Sequence, residues 1–348
     1  MKKSLIAMAV LAASGVASAQ STVTLYGLVD AYVGSSRVKT TVGGVSTSAR
    51  QTVLNGSGFN TSRFGLKGSE DLGGGLKANF VLEGGFDAST GAANNFVNYF
   101  GAAGNTANAT FGRQSWVGLS GGFGELKLGK MWTPYDEVKG SGAGAFDANI
   151  FAPATGVWLS NSYQDRPGNT IYYSTPNFGG ISAAASYSFG ENKTATQDAG
   201  KIISANLQYA GGPIAAALAY QSEKQGGLLA ANNTTKFTQL NASYDFQVVK
   251  VLAAYGNVKE GGTKGNEYQI GLDVPLGNAL TLSTGVARSK LQPAGGGEVK
   301  STGFGLAAKY AVSKRTFLYT GLQLAKNEIN AGNETKTDTF AVGVQHKF

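Results

Sequence analysis

Segments in which apolar and polar residues alternate recur along most of this chain, each about ten residues long, the length of a membrane-crossing β-strand. In residues 23–33 the odd positions are apolar or glycine, whereas the even positions include Tyr26, Asp30 and Tyr32. Successive side chains of a strand point to opposite faces. Each such segment therefore predicts a strand with one apolar face and one more polar face.

The alternating segments number sixteen, and turn residues separate them. They lie at 23–33, 60–69, 76–86, 110–119, 125–131, 170–175, 180–189, 202–209, 214–221, 237–244, 249–258, 267–274, 280–289, 302–310, 316–325 and 337–348. The short connections are 70–74, 120–123, 176–179, 210–213, 245–248, 275–279 and 311–314. The long connections, rich in Gly, Asn, Ser, Thr and Lys, are 34–58, 88–109, 132–168, 190–200, 222–235, 259–265, 290–300 and 326–336.

Short turns at one rim and long loops at the other are typical of an outer-membrane β-barrel. An even number of strands also places both chain ends at the rim with the short turns. The sequence therefore predicts an all-β fold, a 16-stranded antiparallel transmembrane β-barrel with long extracellular loops. Composition alone leaves a soluble β-sandwich or β-helix as the alternative.

The connection at 132–168 is the longest and departs most from this rhythm. A connection of more than about 15 residues without regular structure is uncommon and often functional. Four acidic residues lie in it, Asp136, Glu137, Asp147 and Asp165. We expect this loop to fold into the barrel lumen and narrow it, with its acids facing arginines on the wall.

The N-terminus predicts a cleaved secretory signal peptide over residues 1–19. Lys2 and Lys3 are followed by a short apolar region and by the cleavage motif Ala17-Ser18-Ala19. A retained membrane anchor is the alternative, but the apolar region is too short for a membrane helix. Residues 20–348 then form one barrel domain, in which 27 Lys and Arg remain of the original 29, against 21 Asp and Glu, a net charge of +6.

Composition supports an exported membrane barrel. Charged residues make up 14% of the chain, whereas soluble domains average about 25%. Cysteine is absent, so an exported chain of this size must be held by hydrogen bonds and packing rather than by disulfides. A closed barrel provides both, because every strand is paired and no edge remains.

Catalysis and cofactor binding are poorly supported by the sequence. Its single histidine, His346, lies on the apolar face of the last segment, where a Ser-His-Asp site could not use it. One histidine and no cysteine also argue against a metal site. The glycine pattern at 303–308 imitates a dinucleotide fingerprint but lies inside a strand. We therefore expect no cofactor. The basic residues are dispersed along the chain, so we expect no nucleic-acid partner either.

Strand alternation places several basic residues at the lumen. Arg63 and Lys67 lie opposite the apolar residues of their segment, and alternation puts Arg113 on the face of Val117, opposite Trp116. We expect Arg63 and Arg113 to share the lumen face. A lipid-facing arginine near the membrane midplane would cost about 2–4 kcal/mol.

Several motifs resemble the general diffusion porins of Gram-negative outer membranes, of the β-proteobacterial type. They are VTLYG at 23–27, SRFGLKGSEDLG at 62–73, FGRQ at 111–114, GELKLG at 124–129 and the terminal Phe348. The resemblance implies a homotrimer of sixteen-stranded barrels, each with its third extracellular loop folded inside. It also implies that the barrel-assembly machinery reads Phe348 as an assembly signal.

We expect two groups of charged residues to form a pore constriction, one on a basic wall and one on an acidic side. The basic wall is Arg63, Arg113, Arg166 and Lys67. The acidic side is Asp136, Glu137 and Asp147 of the loop, with Glu83. Glu83 is expected to anchor the loop by accepting hydrogen bonds from loop amides, or else to be an ordinary strand acid at the lumen. The Pro-Glu-Phe-Gly signature of many porin loops is missing, and residues 144–147 read GAFD instead.

The expected function is a water-filled channel for passive diffusion of ions and small hydrophilic solutes across the outer membrane. Opposed charges across a narrow pore bias the ions admitted, and arginine stays charged at any physiological pH. The arginines and the charge of +6 predict a mild preference for anions. A substrate-specific channel for sugars or organic acids is the first alternative, and a barrel enzyme or adhesin is the second.

The aromatic residues near strand ends predict interface girdles facing the lipids of the outer membrane. They are Tyr172, Tyr173, Phe178, Tyr187, Phe189, Tyr209, Tyr220, Tyr244, Tyr310, Phe317 and Tyr319. The same rings inside the lumen would form a stacking surface for sugars, as in a sugar-specific channel.

Overall fold

The structure is a computed structural model that describes residues 22–93, 109–142, 150–226, 234–329 and 332–348. Its strands are β1 (Thr22–Val42), β2 (Val45–Gly56), β3 (Arg63–Gly73), β4 (Leu76–Gly85), β5 (Gln114–Gly121), β6 (Gly124–Lys130), β7 (Thr170–Ser174), β8 (Ile181–Phe189), β9 (Ala199–Gly211), β10 (Ile214–Gly226), β11 (Thr234–Asp245), β12 (Lys250–Glu260), β13 (Thr263–Leu276), β14 (Leu280–Gln292), β15 (Val299–Ala311), β16 (Thr316–Ile329) and β17 (Glu334–Lys347). Helix α1 (Pro134–Gly142) and a 3-10 helix (Leu159–Ser162) lie between β6 and β7. Among these residues, no helix is both long and apolar enough to cross a membrane.

The strands form one antiparallel sheet that closes on itself where β17 pairs with β1. Residues 31–42 of β1 pair with β2, whereas residues 22–28 pair with β3. Strands β2 and β3 are thus two parts of one wall strand, interrupted at 57–62. The barrel accordingly has sixteen wall strands, and the predicted fold class is confirmed.

The outer face of the wall is apolar and the inner face is polar. On β10, Leu218 and Tyr220 are 48% and 40% exposed, whereas Gln221 and Glu223 are buried. Hydrocarbon offers no hydrogen-bond partners, so polar side chains turn to the lumen and apolar ones to the lipid.

The first long connection differs from the prediction. Residues 34–58 were expected as a loop, but β1 continues to Val42 and turns directly into β2. Gly43 and Gly44 have φ of +57° and +85°, the left-handed conformation that a two-residue hairpin turn requires. Likewise, the connection at 259–265 is reduced to the turn at Gly261 and Gly262. These strands continue beyond the membrane, where both faces of the sheet contact water. Their residues are then mostly Thr, Ser and Lys, so no alternation of apolar and polar residues marks them as strands.

Arg113 points to the lumen as expected, but the face of residues 114–119 on which alternation placed it is the outer one. Val117 is 58% exposed on the outer face, and Trp116 stacks instead with the lumen-facing Lys127, whose Nζ lies 5.0 Å from the ring centroid. Strand β5 begins only at Gln114. Arg113 precedes it, so its direction is not fixed by strand alternation, and it points to the lumen all the same.

The segment between β6 and β7 contacts the inner face of the wall through polar side chains of distant strands. Asn206 of β9 donates to the Pro134 carbonyl at 2.8 Å, and Gln323 of β16 donates to that of Thr155 at 2.8 Å. Asn241 of β11 donates to the Val138 carbonyl at 2.5 Å. We call the described parts of this segment, residues 131–142 and 150–169, the inner loop.

The interruption at 57–62 also contacts the inner loop. The Asp30 carboxylate accepts hydrogen bonds from the amides of Gly58, Phe59 and Asn60 at 2.9, 3.1 and 3.0 Å, which fixes the bend. Phe59 is buried in one cluster with Phe151 of the inner loop. The break in the wall strand thus supports the inner loop where its second described part begins, at residues 150–151.

Candidate functional site

A cluster of charged residues lies on the wall formed by β1, β3, β4 and the start of β5. The Glu83 carboxylate accepts hydrogen bonds from Arg113 Nε at 2.7 Å and from the Tyr26 hydroxyl at 3.0 Å. Arg63 Nε lies 3.9 Å from the same carboxylate. The Arg113 side chain is 3% exposed and that of Arg63 is 27% exposed. Two guanidinium groups therefore share one carboxylate, and Arg63 is the more open to the lumen.

The strand register explains how these residues meet. Tyr26, Gly65 and Glu83 lie directly opposite one another on β1, β3 and β4. A Cβ atom at Gly65 would lie 2.8 Å from the Tyr26 ring. Because Gly65 has no side chain, Tyr26 crosses the intervening strand and reaches Glu83.

Two basic residues, Arg113 and Arg166, contact the indole ring of Trp132. The guanidinium carbon of Arg166 lies 4.0 Å from the ring centroid and that of Arg113 lies 5.4 Å from it. Such cation–π contacts are attractive. Asp165 accepts from Arg166 Nη2 at 2.8 Å, and Lys130 Nζ donates to the Arg166 carbonyl at 2.6 Å. Arg166, although it lies at the exit of the inner loop, is thereby brought beside Arg113.

A cavity of about 530 Å³ opens in front of this cluster. Four basic side chains, Arg63, Lys67, Arg113 and Lys347, line it, but Glu83 is its only acidic side chain among the residues described. Lys67 Nζ lies 5.3 Å from the Tyr26 ring centroid. The charged side chains of this cavity are thus predominantly basic.

The acids of helix α1 are held by neutral donors. Glu137 accepts from the Tyr172 hydroxyl at 2.7 Å and from Asn206 Nδ2 at 2.9 Å, which joins the helix to β7 and β9. Asp136 accepts from the Tyr163 hydroxyl within the inner loop. Burial raises the pKa of Asp136 to about 7, although the hydrogen bond from Tyr163 lowers it. Asp147 lies outside the described residues.

Glu83 does not anchor the inner loop as expected, because its partners are Arg113, Tyr26 and Arg63. Two acids that sequence reasoning missed take that role. Glu267 of β13 accepts from the Leu159 amide and from the amide and hydroxyl of Ser160, at 3.2 Å for the Ser160 amide. Glu223 of β10 accepts from the Gln164 amide at 2.7 Å. Glu267 lies on the polar face of the predicted segment 267–274, which was the available signal, whereas Glu223 fell in the predicted connection 222–235 because β10 extends further than expected, to Gly226.

The aromatic residues divide between the two faces of the wall. Tyr209, Tyr220, Tyr244 and Tyr310 are 40–51% exposed on the outer face, as a lipid-interface girdle requires. Tyr172 and Tyr319 face inward and are buried, and their hydroxyls donate to Glu137 and Asp30. These inward rings brace the structure.

In the part of the chain that the structure describes, His346 does not face the lumen, and no group of side chains is placed to bind a metal ion. His346 is exposed on the outer face, where its Nδ1 lies 2.8 Å from Thr316 Oγ1. No group of three or more His, Cys, Asp or Glu side chains among the described residues is placed to hold a metal ion.

Phe348 lies at the seam between the two terminal strands. Its amide donates to the Gly27 carbonyl at 3.1 Å, and the Gly27 amide donates to the Phe348 carbonyl at 3.1 Å. A Cβ atom at Gly27 would lie 2.4 Å from the Phe348 ring. The glycine therefore makes room for the terminal ring on the outer face.

Comparison with known proteins gives concordant matches over almost the whole chain. The family model described as Gram-negative porin matches residues 5–347. Outer membrane porin protein 32 of Delftia acidovorans is 39% identical, over 100% of this chain and 93% of its own. The solved structure of the anion-selective porin from Comamonas acidovorans has a TM-score of 0.75 and 32% identity, covering 94% of this chain and 100% of that one. A trimer form of Vibrio cholerae OmpT shares the fold, with a TM-score of 0.68 at 13% identity over 94% of this chain and 99% of that one.

Proposed function

This chain belongs to the Gram-negative porin family, and on that premise we propose that the basic wall around Glu83 sets the ion preference of its pore. The protein is an outer-membrane channel for passive diffusion and not an enzyme. We propose that the channel prefers anions, and that Arg63, Arg113, Arg166 and Lys67 form the basic side of its constriction.

The sharing of Glu83 by two arginines is the observation that carries this proposal. Arg63 and Arg113 both approach the one carboxylate of Glu83, and the side chains that line the cavity include four basic residues against this single described acid. Among the acids predicted for the opposite side, Asp136 and Glu137 are engaged by tyrosine and asparagine donors. An anion at the wall therefore meets more basic than acidic side chains among the described residues that line the cavity.

Arginine suits this role because it stays charged across the physiological pH range and presents a planar array of donors. Trp132 restricts the positions of Arg113 and Arg166, so both charges stay at one level of the pore. The inner loop, held by Glu267 and Glu223, would narrow the lumen at that level. Small hydrated anions would then pass close to the wall.

The proposal includes assembly into a homotrimer. The trimer form of OmpT supports it only through a shared fold. We further propose that residues 1–19 are a cleaved signal peptide and that Phe348 is an assembly signal for the barrel-assembly machinery. Its place at the seam with Gly27 supports this, because the last strand completes the barrel. A porin whose unboiled form migrates only as a monomer in gel electrophoresis would contradict the trimer.

The test is the reversal potential of the reconstituted mature protein across a KCl gradient. We expect a chloride-selective potential for the wild type and a marked loss of that preference in Arg63→Gln/Arg113→Gln. The matched control is Arg37→Gln/Arg50→Gln, which removes two arginines outside the lumen. A potassium-selective wild type, or a double variant with unchanged selectivity, would contradict the proposal.

A further inference from the structure

A second cavity, of about 310 Å³, lies in the barrel lumen on the extracellular side of the inner loop. Thr155 and Gly156 of the loop form one side of it, and β1, β2, β16 and β17 form the other. It contacts residues 32–36 of β1, whereas the Glu83 cluster begins nearer the periplasm, at Tyr26. We call this cavity the vestibule pocket. Its volume lies at the lower end of the range of small-molecule sites, about 300–1,000 Å³.

Glycines in the wall let the inner loop lie directly against it and so define where the pocket begins. A Cβ atom at Gly321 of β16 would lie 3.0 Å from the Phe151 ring, and one at Gly303 of β15 would collide with the Pro153 carbonyl oxygen. Further along β16, the wall lines the pocket from Gln323 onward. The pocket is therefore bounded by a loop segment that the wall holds in place.

Hydroxyl and amide side chains form a row across the wall of the pocket. Ser36 of β1 lies directly opposite Thr339 of β17, and Thr339 lies opposite Gln323 of β16. Thr337 and Asn327 extend the row toward the extracellular rim. We call these five residues the polar row. Directly opposed side chains are about 4.5–5.5 Å apart, so one small molecule can reach several of them at once.

The inner loop fixes the two amide side chains of the polar row. Gln323 Nε2 donates to the Thr155 carbonyl at 2.8 Å, and Asn327 Nδ2 donates to the Gly156 carbonyl at 3.2 Å. Each amide oxygen remains as an acceptor. The three hydroxyl groups of the row have no side-chain partner within the described part of the chain, and a hydroxyl group can both donate and accept. The row therefore offers acceptors and adaptable donors to a ligand.

No charged side chain lines the vestibule pocket among the residues described, whereas four basic side chains line the cavity beside Glu83. An ion that entered the pocket would give up water without gaining a counter-charge, which is unfavourable. A neutral hydroxylated molecule would instead exchange its hydrogen bonds to water for equivalent ones. Tyr32, Val53 and Ile150 add apolar surface to the lining, which suits the C–H face of a sugar ring.

We propose that the vestibule pocket is a binding site for neutral polyhydroxylated solutes of about the size of a hexose. Hydroxyl groups of the solute would bond to Ser36, Thr337 and Thr339, and the oxygens of Gln323 and Asn327 would accept from it. The site would hold neutral solutes beside the inner loop while ions pass along the basic wall. This inference rests on the diffusion channel but not on its anion preference.

The experiment measures binding of D-glucose to the intact porin, solubilised in a sugar-free detergent, by saturation-transfer difference NMR. We expect a saturable signal in the wild type. The variant Thr337→Val/Thr339→Val keeps the shape of both side chains but removes two hydroxyl groups, and it should weaken binding about tenfold. Ser36→Trp fills the pocket without adding charge and should abolish the signal.

The matched control is Thr24→Val/Thr235→Val. It removes two hydroxyl groups that also face the lumen, on β1 opposite Lys67 and on β11 opposite Glu223, but that do not line the pocket. It should change glucose binding less than twofold. Unboiled gel mobility and bilayer conductance verify that every variant is folded.

The variant Arg63→Gln/Arg113→Gln separates this site from ion selectivity. Glucose should bind to it within twofold of the wild type, whatever its ion preference. In the same variant, D-glucuronate, which adds a carboxylate to the sugar ring, should bind at least fivefold more weakly than glucose.

Four outcomes would overturn the proposal. They are a wild type without a saturable glucose signal, unchanged binding in Thr337→Val/Thr339→Val, an equal loss in the control, and a loss of glucose binding together with the two arginines. The last result would place the sugar at the basic wall instead of in the vestibule pocket.

Discussion

The Glu83 carboxylate accepts a hydrogen bond from Arg113 Nε at 2.7 Å. Glu83 was expected on the acidic side of the constriction, opposite the arginines, but it lies on the basic wall beside them. The pair is almost fully buried, with side chains 5% and 3% exposed. Glu83 therefore offsets part of the basic charge from within the wall. This arrangement makes the carboxylate a regulator of anion preference, because its removal uncovers positive charge without moving a basic residue.

We expect Glu83→Gln to raise the chloride-to-potassium permeability ratio roughly two- to fourfold. The estimate follows from about 0.8 kcal/mol for two unit charges about 5 Å apart in water. Glutamine keeps the shape of the side chain and still accepts a hydrogen bond. The measurement is the reversal potential in a KCl gradient.

The matched control for that change is Glu125→Gln. Glu125 also faces the lumen and pairs with Lys127 at 2.9 Å, but it lies near a periplasmic turn and away from the Glu83 cluster. A shift in Glu125→Gln as large as that in Glu83→Gln would mean that total lumen charge, rather than the wall around Glu83, sets selectivity.

Replacing Trp132 tests whether the indole fixes the basic wall. Each cation–π contact contributes about 0.5–1 kcal/mol at an exposed site and more when desolvated. In Trp132→Leu we expect Arg113 and Arg166 to become more mobile, with greater open-channel current noise. Trp116→Leu removes the ring that Lys127 contacts at 5.0 Å and serves as control. Equal noise in Trp132→Leu and the wild type would show that the guanidinium groups are held without the ring.

The packing of helix α1 should depend on pH through Asp136. Its pKa is raised by burial to about 7 from an ordinary 3.8, so the folded loop binds the proton more tightly than the unfolded loop does. The stability that this difference contributes is fully present below pH 3.8 and is lost as the pH rises through about 7. Hydrogen exchange of residues 134–142, corrected for intrinsic rates, should therefore be slower at pH 5 than at pH 7.5.

The variant Asp136→Asn should flatten that pH profile. Lys139 does not account for the change, because burial lowers its pKa to about 8, so its contribution to stability rises with pH, the opposite of what is expected from Asp136. Glu137→Gln is the control, because it removes the neighbouring acid and leaves Asp136 in place. A pH profile unchanged in Asp136→Asn would assign the effect to another group.

Removing the Glu267 carboxylate should release the middle of the inner loop. Glu267 is fully buried and accepts two amides and one hydroxyl, so Glu267→Ala leaves those donors unpaired. Each unsatisfied buried donor costs about 1–3 kcal/mol. We expect a larger single-channel conductance and faster proteolysis within residues 150–169. Glu328→Ala, an acid outside the lumen, should leave both unchanged, and a Glu267→Ala channel of wild-type conductance would contradict the anchoring role.

The barrel was readable from the sequence because lipid imposes a strict period of two on each wall strand. Arg63 and Lys67 were assigned to the lumen correctly for this reason. The same rule placed Val117 on the lumen face together with Arg113, but Val117 faces outward. Arg113 does reach the lumen, although it precedes β5 by one residue and alternation does not fix its direction. The rule failed again at 34–58, where both faces of β1 and β2 are in water and polarity no longer distinguishes a strand from a loop.

The partners of the acids could not be read in the same way. Glu137 meets Asn206, which lies 69 residues away in the chain, and Glu267 meets Ser160, 107 residues away. Those pairings depend on the path of the inner loop across the barrel, which no local pattern encodes. Glu83 differs from these two acids, because its partner Arg113 was already a candidate residue. The sequence placed the two on opposite sides of the constriction, whereas in the structure they are in contact.

The attachments of the inner loop also have a mechanical consequence. Asn206, Asn241, Glu267 and Gln323 hold it to four strands spread around the wall. A thin cylinder squeezed by the lateral pressure of a bilayer would flatten into an ellipse, but here flattening must stretch several hydrogen bonds across the interior at once. The loop acts as an internal brace, so the width of the pore is insulated from tension in the surrounding membrane.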